Sequence, residues 1–263
     1  MRKKYRLSIL TSNDYTWSFD IWKQTIPELQ RNYKVIAVNT VEDRLGPYTS
    51  WKIPYWYLRS FGALNTCKLV LFGLVRLFSR LSSKLKTWDE LSLRYKFKLR
   101  QFENPNAPQT VKEITRQNPD IVLIMVGHIL KRPIIKTAKL GVVNKHGGVL
   151  PSCRGLFPFL WGKIYNHPIG ISFHLVDEKI DTGRLLLQKE ITTSSMSMLG
   201  FYRYIYHQFP EMVTKALVNL IEDKKINPRS DLKSSYYGLP TRKDVRKFEK
   251  LGQSIAYWHD LLL

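Results

Sequence analysis

Asn144 and His146 stand two residues apart behind the β-branched pair Val142 and Val143. On a strand, that spacing sends both side chains out of one face. An amide donor and an imidazole would then lie side by side where the chain enters the turn at Gly147 and Gly148. Asp181 follows later, just before Thr182-Gly183 and at the edge of a second short strand. A carboxylate so placed can orient a histidine, hold its tautomer and stabilise its charged form. No serine or cysteine occupies an obvious nucleophile elbow. The set therefore suits direct attack by a substrate group on a carbonyl, with the protein supplying oxyanion stabilisation and proton management. Cys153, close by, would need a lowered pKa to act as a nucleophile. The six histidines are scattered without ligand spacing and neither cysteine has a partner nearby, so no metal site is expected.

The elements that must hold these residues can be traced from the first apolar run. Residues 7–10 read as a strand, 18–30 as a helix with Phe19, Trp22, Ile26 and Leu29 on one side, and 35–38 as a second strand. Strand, helix, strand at this spacing begins a parallel sheet. Residues 95–99 alternate like a strand, and 109–117 read as a helix closed by Asn118-Pro119. Ile121-Val-Leu-Ile-Met-Val126 has no hydrogen-bonding side chain and reads as a buried strand, with Gly127 and His128 at its carboxyl end, where open α/β sheets gather ligands. Short helices are expected at 133–139 and 157–165, and strands at 170–176 and 184–191. Beyond these, helices are expected at 197–209 and 211–222, separated or kinked at Pro210, and Thr241 to Asp244 has the form of a helix start with a capping acid. The expected fold is α/β and Rossmann-like, with a mostly parallel sheet flanked by helices in residues 1–200. A basic amphipathic insertion at about 51–88 and a helical C-terminal extension, 201–263, complete the expected organisation.

Asn144-x-His146, Leu150-Pro151, Arg154-Gly155, Trp161, Gly170 and Asp181-Thr-Gly183, in that order, resemble the catalytic core of the folate-dependent formyltransferases. That family includes glycinamide ribonucleotide formyltransferase, methionyl-tRNA formyltransferase and the sugar N-formyltransferases. The agreement runs from about residue 119 to 190. One departure is Gly147-Gly148, where the family often has Pro-Ser after the histidine. The resemblance implies Asn144, His146 and Asp181 as the catalytic set and 10-formyltetrahydrofolate as co-substrate, with no metal. It implies a folate pocket formed by Val126, Gly127, His128, Ile129 and Leu130 together with the loop Asp177, Glu178, Lys179 and Ile180. Gly148 and Arg154 are expected beside the substrate, Arg154 bonding either the backbone of the turn or a substrate phosphate. His174, inside a strand, reads as structural, and Tyr236 and Tyr237 read as core.

The bulk composition constrains the partner. The formal charge is +21 in 263 residues, which favours something anionic: nucleic acid, an acidic membrane surface or a phosphorylated substrate. No zinc-finger, RNP-like or helix-turn-helix pattern supports nucleic acid. Two cysteines give no disulfide framework, which fits a reducing, cytoplasmic compartment, and the first apolar run is too short for a signal peptide. Residues 68–86 carry Arg76, Arg80 and Lys84 at helical spacing, with Val70, Leu74, Leu77, Phe78, Leu81 and Leu85 largely on another side. Such a segment either packs its apolar face on the sheet and leaves its cations in water, or lies in an anionic membrane interface.

The turn after the first strand lacks glycine, so a dinucleotide fingerprint is absent. So is the phosphate loop that the resemblance would place there for a purine-pathway enzyme. The residues after the core look helical rather than like the β-barrel that methionyl-tRNA formyltransferases add. By elimination the expected acceptor is the amine of a nucleotide-linked amino sugar, as in surface polysaccharide synthesis. An aminoacyl-tRNA or lipid-linked amine, a formyltetrahydrofolate hydrolase and a non-catalytic basic binder of membrane or nucleic acid are the alternatives. Oligomerisation is left open.

Overall fold

The computed structural model describes residues 4–193 and 196–262. The first residues of the basic lead-in, 1–3, and the last of the expected C-terminal extension, 263, lie outside them. Strand β1 (Arg6–Ser12) is followed by helix α1 (Ser18–Asn32), whose Phe19, Trp22, Ile26 and Leu29 are fully buried along one face. The Asp14 carboxylate accepts the N–H groups of Thr16, Trp17 and Ser18 at 2.7, 3.0 and 3.0 Å and so closes the start of α1. Strand β2 (Lys34–Val41) completes the βα unit and pairs in parallel with β1.

Two helices then leave the sheet, α2 (Lys52–Phe61) and α3 (Ala63–Leu81), before α4 (Trp88–Tyr95) returns the chain to β3 (Lys98–Phe102). Here the structure corrects the alternation read at 95–99. Thr87 Oγ1 accepts the Glu90 N–H at 3.2 Å, and the Glu90 carboxylate accepts the Thr87 N–H at 3.2 Å. This capping box starts a helix that carries Tyr95, and left-handed Lys96 ends it. The strand begins only at Lys98.

Helix α5 (Pro108–Gln117) leads to β4 (Ile121–Met125), and β5 (Gly141–His146) lies beside it. Helix α6 (Pro158–Tyr165), β6 (Gly170–Leu175) and β7 (Leu185–Glu190) follow. The seven strands are ordered β7-β6-β5-β4-β1-β2-β3. Strands β3, β2, β1, β4 and β5 run parallel, whereas β6 is antiparallel to both β5 and β7. The order turns back at β1 and β4, so the carboxyl ends of these two strands flank a switch point, the place where such sheets bind ligands.

The later helices are α7 (Met198–His207), α8 (Phe209–Ile221) and α9 (Arg242–Lys250). Pro210 sits in the first turn of α8, where its missing N–H costs no hydrogen bond. Phe209 meets Trp22 of α1 edge-on at 5.4 Å, so α8 seals the same core that α1 builds. Thr241 and Asp244 form the anticipated capping box. The tail contains one strand that the sequence did not signal, Tyr236–Tyr237, which pairs in parallel with Arg154–Gly155.

Helix α3 corrects the reading in which its apolar face would pack on the sheet. Its inward side carries polar groups beside Phe72, which is buried against Leu199, Ala256 and Leu261. Arg76 bonds Asp20 at 2.8 Å, Lys68 Nζ donates to the Ala256 carbonyl at 2.9 Å, and Arg80 donates to the Tyr15 carbonyl at 2.8 Å. Leu74, Phe78 and Leu81 point into solvent. Long cationic side chains can run their stems along apolar surface and bond with their tips. That lets cations occupy the packed side of this helix. No helix among the described residues is long and apolar enough to cross a membrane.

Candidate active site

The antiparallel register of β5 and β6 sets Asn144 opposite His174 and His146 opposite Ser172. Cross-strand partners share a face, so Asn144, His146 and His174 converge at the end of β5. Asp181 arrives from the loop between β6 and β7 in a left-handed conformation that aspartate tolerates. Gly183 allows this loop to fold back, since a Cβ there would lie 1.8 Å from the Leu175 carbonyl oxygen.

The Asp181 carboxylate lies between two imidazoles. One oxygen is 3.4 Å from His146 Nδ1 and the other 3.4 Å from His174 Nε2. It also accepts the Gly155 N–H at 2.8 Å. Burial alone would favour the neutral acid. The His174 hydrogen bond, the charge of His146 and the Gly155 N–H outweigh it and hold the carboxyl down at about 2. Asp181 is therefore ionised throughout the neutral range.

His146 is buried, and its Nε2 lies 2.8 Å from the Cys153 carbonyl oxygen. Burial pushes its pKa below the usual imidazole value; Asp181 works against that and His174 works with it. Both ring nitrogens thus face acceptors, yet the buried ring favours the neutral form. Asn144 Nδ2 is 3.4 Å from His174 Nε2, while His174 Nδ1 bonds the Leu175 carbonyl at 2.8 Å. An amide has two N–H groups, so Asn144 has at least one for a ligand whichever way the His174 proton lies. Burial pushes the Cys153 thiol up to about 12, far from a nucleophile's range.

These side chains open onto a cavity of about 1000 Å³. Val126, Gly127, His128, Ile129 and Leu130 line it beyond the end of β4, and Asp177, Glu178, Lys179 and Ile180 line it from the β6–β7 loop. Both stretches are irregular backbone, whose amide groups are the kind that pair with a flat heterocycle's edge. His128 Nδ1 is buried there without a partner, as a ligand contact would leave it. Gly127 permits close approach of the Arg44 carbonyl oxygen, which would lie 1.7 Å from an added Cβ. The residues present fit a pterin in this slot.

Arg154 and Gly148 are placed otherwise than at the ligand. Arg154 donates to the Ile180 carbonyl at 3.3 Å, and its Nε is buried without a partner. Gly148 lies beneath the His146 ring, where its carbonyl accepts the Ser172 hydroxyl at 2.7 Å. Gly147 and Gly155, beside them, face the cavity instead.

Sequence reasoning missed two residues. His174 belongs to the site, although it read as a structural histidine. Lys145 also reaches the cavity, its ammonium 4.5 Å from the Tyr206 ring centre and with no carboxylate partner among the described residues. Burial lowers its pKa to about 8. No group of metal-ligating side chains occurs among the described residues.

Part of this chain, and its fold, resemble known proteins. Residues 94–201 match the formyl transferase family. A methionyl-tRNA formyltransferase of Desulfotalea psychrophila is 36% identical over 109 residues, which is 41% of this chain and 33% of that relative. The chain thus spans only part of the length of such relatives. In fold it is similar to glycinamide ribonucleotide transformylase 1 from Symbiobacterium toebii, with a TM-score of 0.58 at 13% identity over 91% of this chain and 96% of the other. It is also similar to an N-formyltransferase from Helicobacter canadensis, solved with folinic acid and dTDP-3-aminofucose, with a TM-score of 0.54 at 17% identity over 91% of this chain and 72% of that one. At these identities the likeness concerns the fold alone. Residues 94–201, which carry Asn144, His146, His174 and Asp181, are thus a formyl transferase-like segment, set in the fold that formyltransferases share.

Proposed function

We propose that the protein transfers a formyl group from 10-formyltetrahydrofolate to the primary amine of a nucleotide-linked amino sugar. The observation that carries this reading is the convergence of Asn144, His146, His174 and Asp181 on one cavity, between the 126–130 and 177–180 segments. At about 1000 Å³ the cavity is at the upper end for a single drug-sized ligand, which suits two substrates side by side.

The attacking amine must lose a proton. His146, kept neutral by burial, is available to take it. The imidazolium so formed completes both of its hydrogen bonds, to the Cys153 carbonyl and toward Asp181. Asp181, held ionised, orients the ring and stabilises its charge rather than keeping the proton. The free N–H of Asn144 faces the formyl oxygen and stabilises it as negative charge develops. Collapse of the tetrahedral intermediate breaks the bond from the formyl carbon to the donor nitrogen, which takes up the proton held at His146 and leaves as tetrahydrofolate.

Two features favour a nucleotide-linked amine over a simple ribonucleotide phosphate. Asp14 already takes the N–H groups at the start of α1, so the first βα turn presents a carboxylate where an anion would otherwise dock. Lys145 supplies an unpaired cation within the cavity for an acidic group of the acceptor. The Helicobacter enzyme with a similar fold was solved with a nucleotide amino sugar.

The test follows tetrahydrofolate release by absorbance with dTDP- and UDP-linked amino sugars, glycinamide ribonucleotide and methionyl-tRNA. Turnover is expected with a nucleotide amino sugar, falling about a hundredfold to a thousandfold in Asn144→Ala. Equal donor loss with no acceptor would make the protein a hydrolase. Inertness toward every amine would end the catalytic reading.

A further inference from the structure

Helix α3 packs Phe72 and Leu69 inward beside Lys68, Arg76 and Arg80, and turns a second apolar stripe outward. Leu64, Leu71, Leu74, Phe78 and Leu81 fall on one stripe, alternating three- and four-residue steps after the first seven, and all face solvent. Phe78 is 64% exposed and Leu64 63%. Preceding α2 continues this surface chemistry with exposed Trp51, Tyr55 and Leu58 at the same kind of spacing. Isolated exposed apolar residues are ordinary, but a continuous stripe of leucine and phenylalanine marks a surface that meets something.

The charge around the stripe says what it meets. From Arg44 to Trp88 the sequence contains no aspartate or glutamate, while it contains Arg44, Lys52, Arg59, Lys68, Arg76, Arg80, Lys84 and Lys86. Lys68, Arg76 and Arg80 are spent on internal bonds. Lys52, Arg59, Lys84 and Lys86 are exposed. An apolar face in a stretch that carries cations and no acid, with tryptophan and tyrosine beside it, has the composition of a helix lying in a bilayer interface. A second copy pairing through this same stretch would bring like charges together, with no acid from residues 44–88 to answer them.

We propose that α2 and α3 dock the protein on an anionic phospholipid surface. Helix α3, about 28 Å long at 1.5 Å per residue, lies along the interface and inserts Leu71, Leu74 and Phe78 between headgroups. The exposed lysines and arginines meet the lipid phosphates. An adjoining side of α3 lines the active-site cavity with Thr66, Leu69, Phe72 and Gly73, so docking sets that cavity beside the membrane. The inference stands on the exposed face and its charge, and does not depend on which amine is formylated.

Cys67 lies between Leu64 and Leu71 on the same helix and is exposed, whereas Cys153 is buried, so the native chain carries its own labelling site. The full chain, labelled at Cys67 with an environment-sensitive fluorophore, is mixed with vesicles of phosphatidylcholine alone or with a third phosphatidylglycerol. Co-sedimentation and a blue shift are expected with the anionic vesicles. Both should weaken at least tenfold in Leu74→Glu/Phe78→Glu, with circular dichroism confirming the fold. Lys84→Glu/Lys86→Glu should weaken binding without touching the apolar stripe. Three results would overturn the proposal. One is no association. Another is association with no shift at Cys67, which would mean that the general basic charge binds elsewhere. The third is a dimer at micromolar concentration without lipid that Leu74→Glu/Phe78→Glu dissolves, which would mean that a second copy covers the face.

Discussion

Replacing Asp181 by asparagine tests the site through stability and catalysis at once. Asparagine is the informative choice because the position is left-handed, with φ of 52°, and asparagine tolerates that conformation as aspartate does. What is lost is the charge between the two imidazoles. The carboxyl falls from 3.8 to about 2 on folding, at a side chain only 11% exposed. At about 1.4 kcal/mol per pKa unit, that shift makes ionised Asp181 worth about 2 kcal/mol to the folded state. The folded pKa is depressed, so the contribution is complete above 3.8 and disappears as pH falls through about 2. Urea unfolding at pH 7 should show Asp181→Asn less stable by about 2 kcal/mol, a gap that shrinks to about 1 kcal/mol at pH 3. Turnover should fall about a hundredfold or more, since the imidazolium formed at His146 loses its counter-charge. The pH profile supplies the sharpest readout. Asp181 raises the pKa of His146, so its removal lowers that pKa further. The acid limb of kcat/KM, where His146 must be neutral, should therefore move to lower pH. A variant as stable as the parent at pH 7, or an acid limb that stays put or moves up, would refute the reasoning.

Two further substitutions probe the cavity walls. Lys145→Met should raise stability while raising KM for the acceptor. Its pKa drop from 10.5 to about 8 means that folding penalises the ammonium, which is still the main form at pH 7, and that this cost lifts only above about 8. The full shift would be worth about 3 kcal/mol, and partial solvent access reduces it to about 1–2 kcal/mol, which thermal unfolding and steady-state kinetics would resolve. Gly127→Ala should weaken folate binding well beyond its effect on kcat, because the added Cβ would lie 1.7 Å from the Arg44 carbonyl oxygen and must push apart the pocket wall. Fluorescence titration with a folate analogue, set beside a melting curve, checks it.

What the sequence made legible, and what it hid, divides along one line. The strand at Ile121–Met125 was readable because burial on both faces leaves an unbroken apolar run. Asn144 and His146 were readable because a two-residue spacing fixes a shared face without reference to any other part of the chain. His174 was not, because its place opposite Asn144 is set by the register of two strands, and nothing in residues 170–175 names their partner. The helix at Trp88–Tyr95 was signalled by Thr87 and Glu90, but the alternation that follows was the louder pattern. Helix α3 shows the limit most plainly. Periodicity separated Leu74, Phe78 and Leu81 from Arg76 and Arg80, but ran past the helix end at Leu81 to Lys84 and Leu85, and said nothing of which side faces the protein. That choice rests on Asp20 meeting Arg76 and on the carbonyls of Tyr15 and Ala256 meeting Arg80 and Lys68, contacts between residues far apart in the chain. Helix α3 is held inward by these cations together with Phe72, which packs on Leu199, Ala256 and Leu261, and its remaining leucines are left in solvent, which is why the exposed face of α3 points to a partner outside the chain.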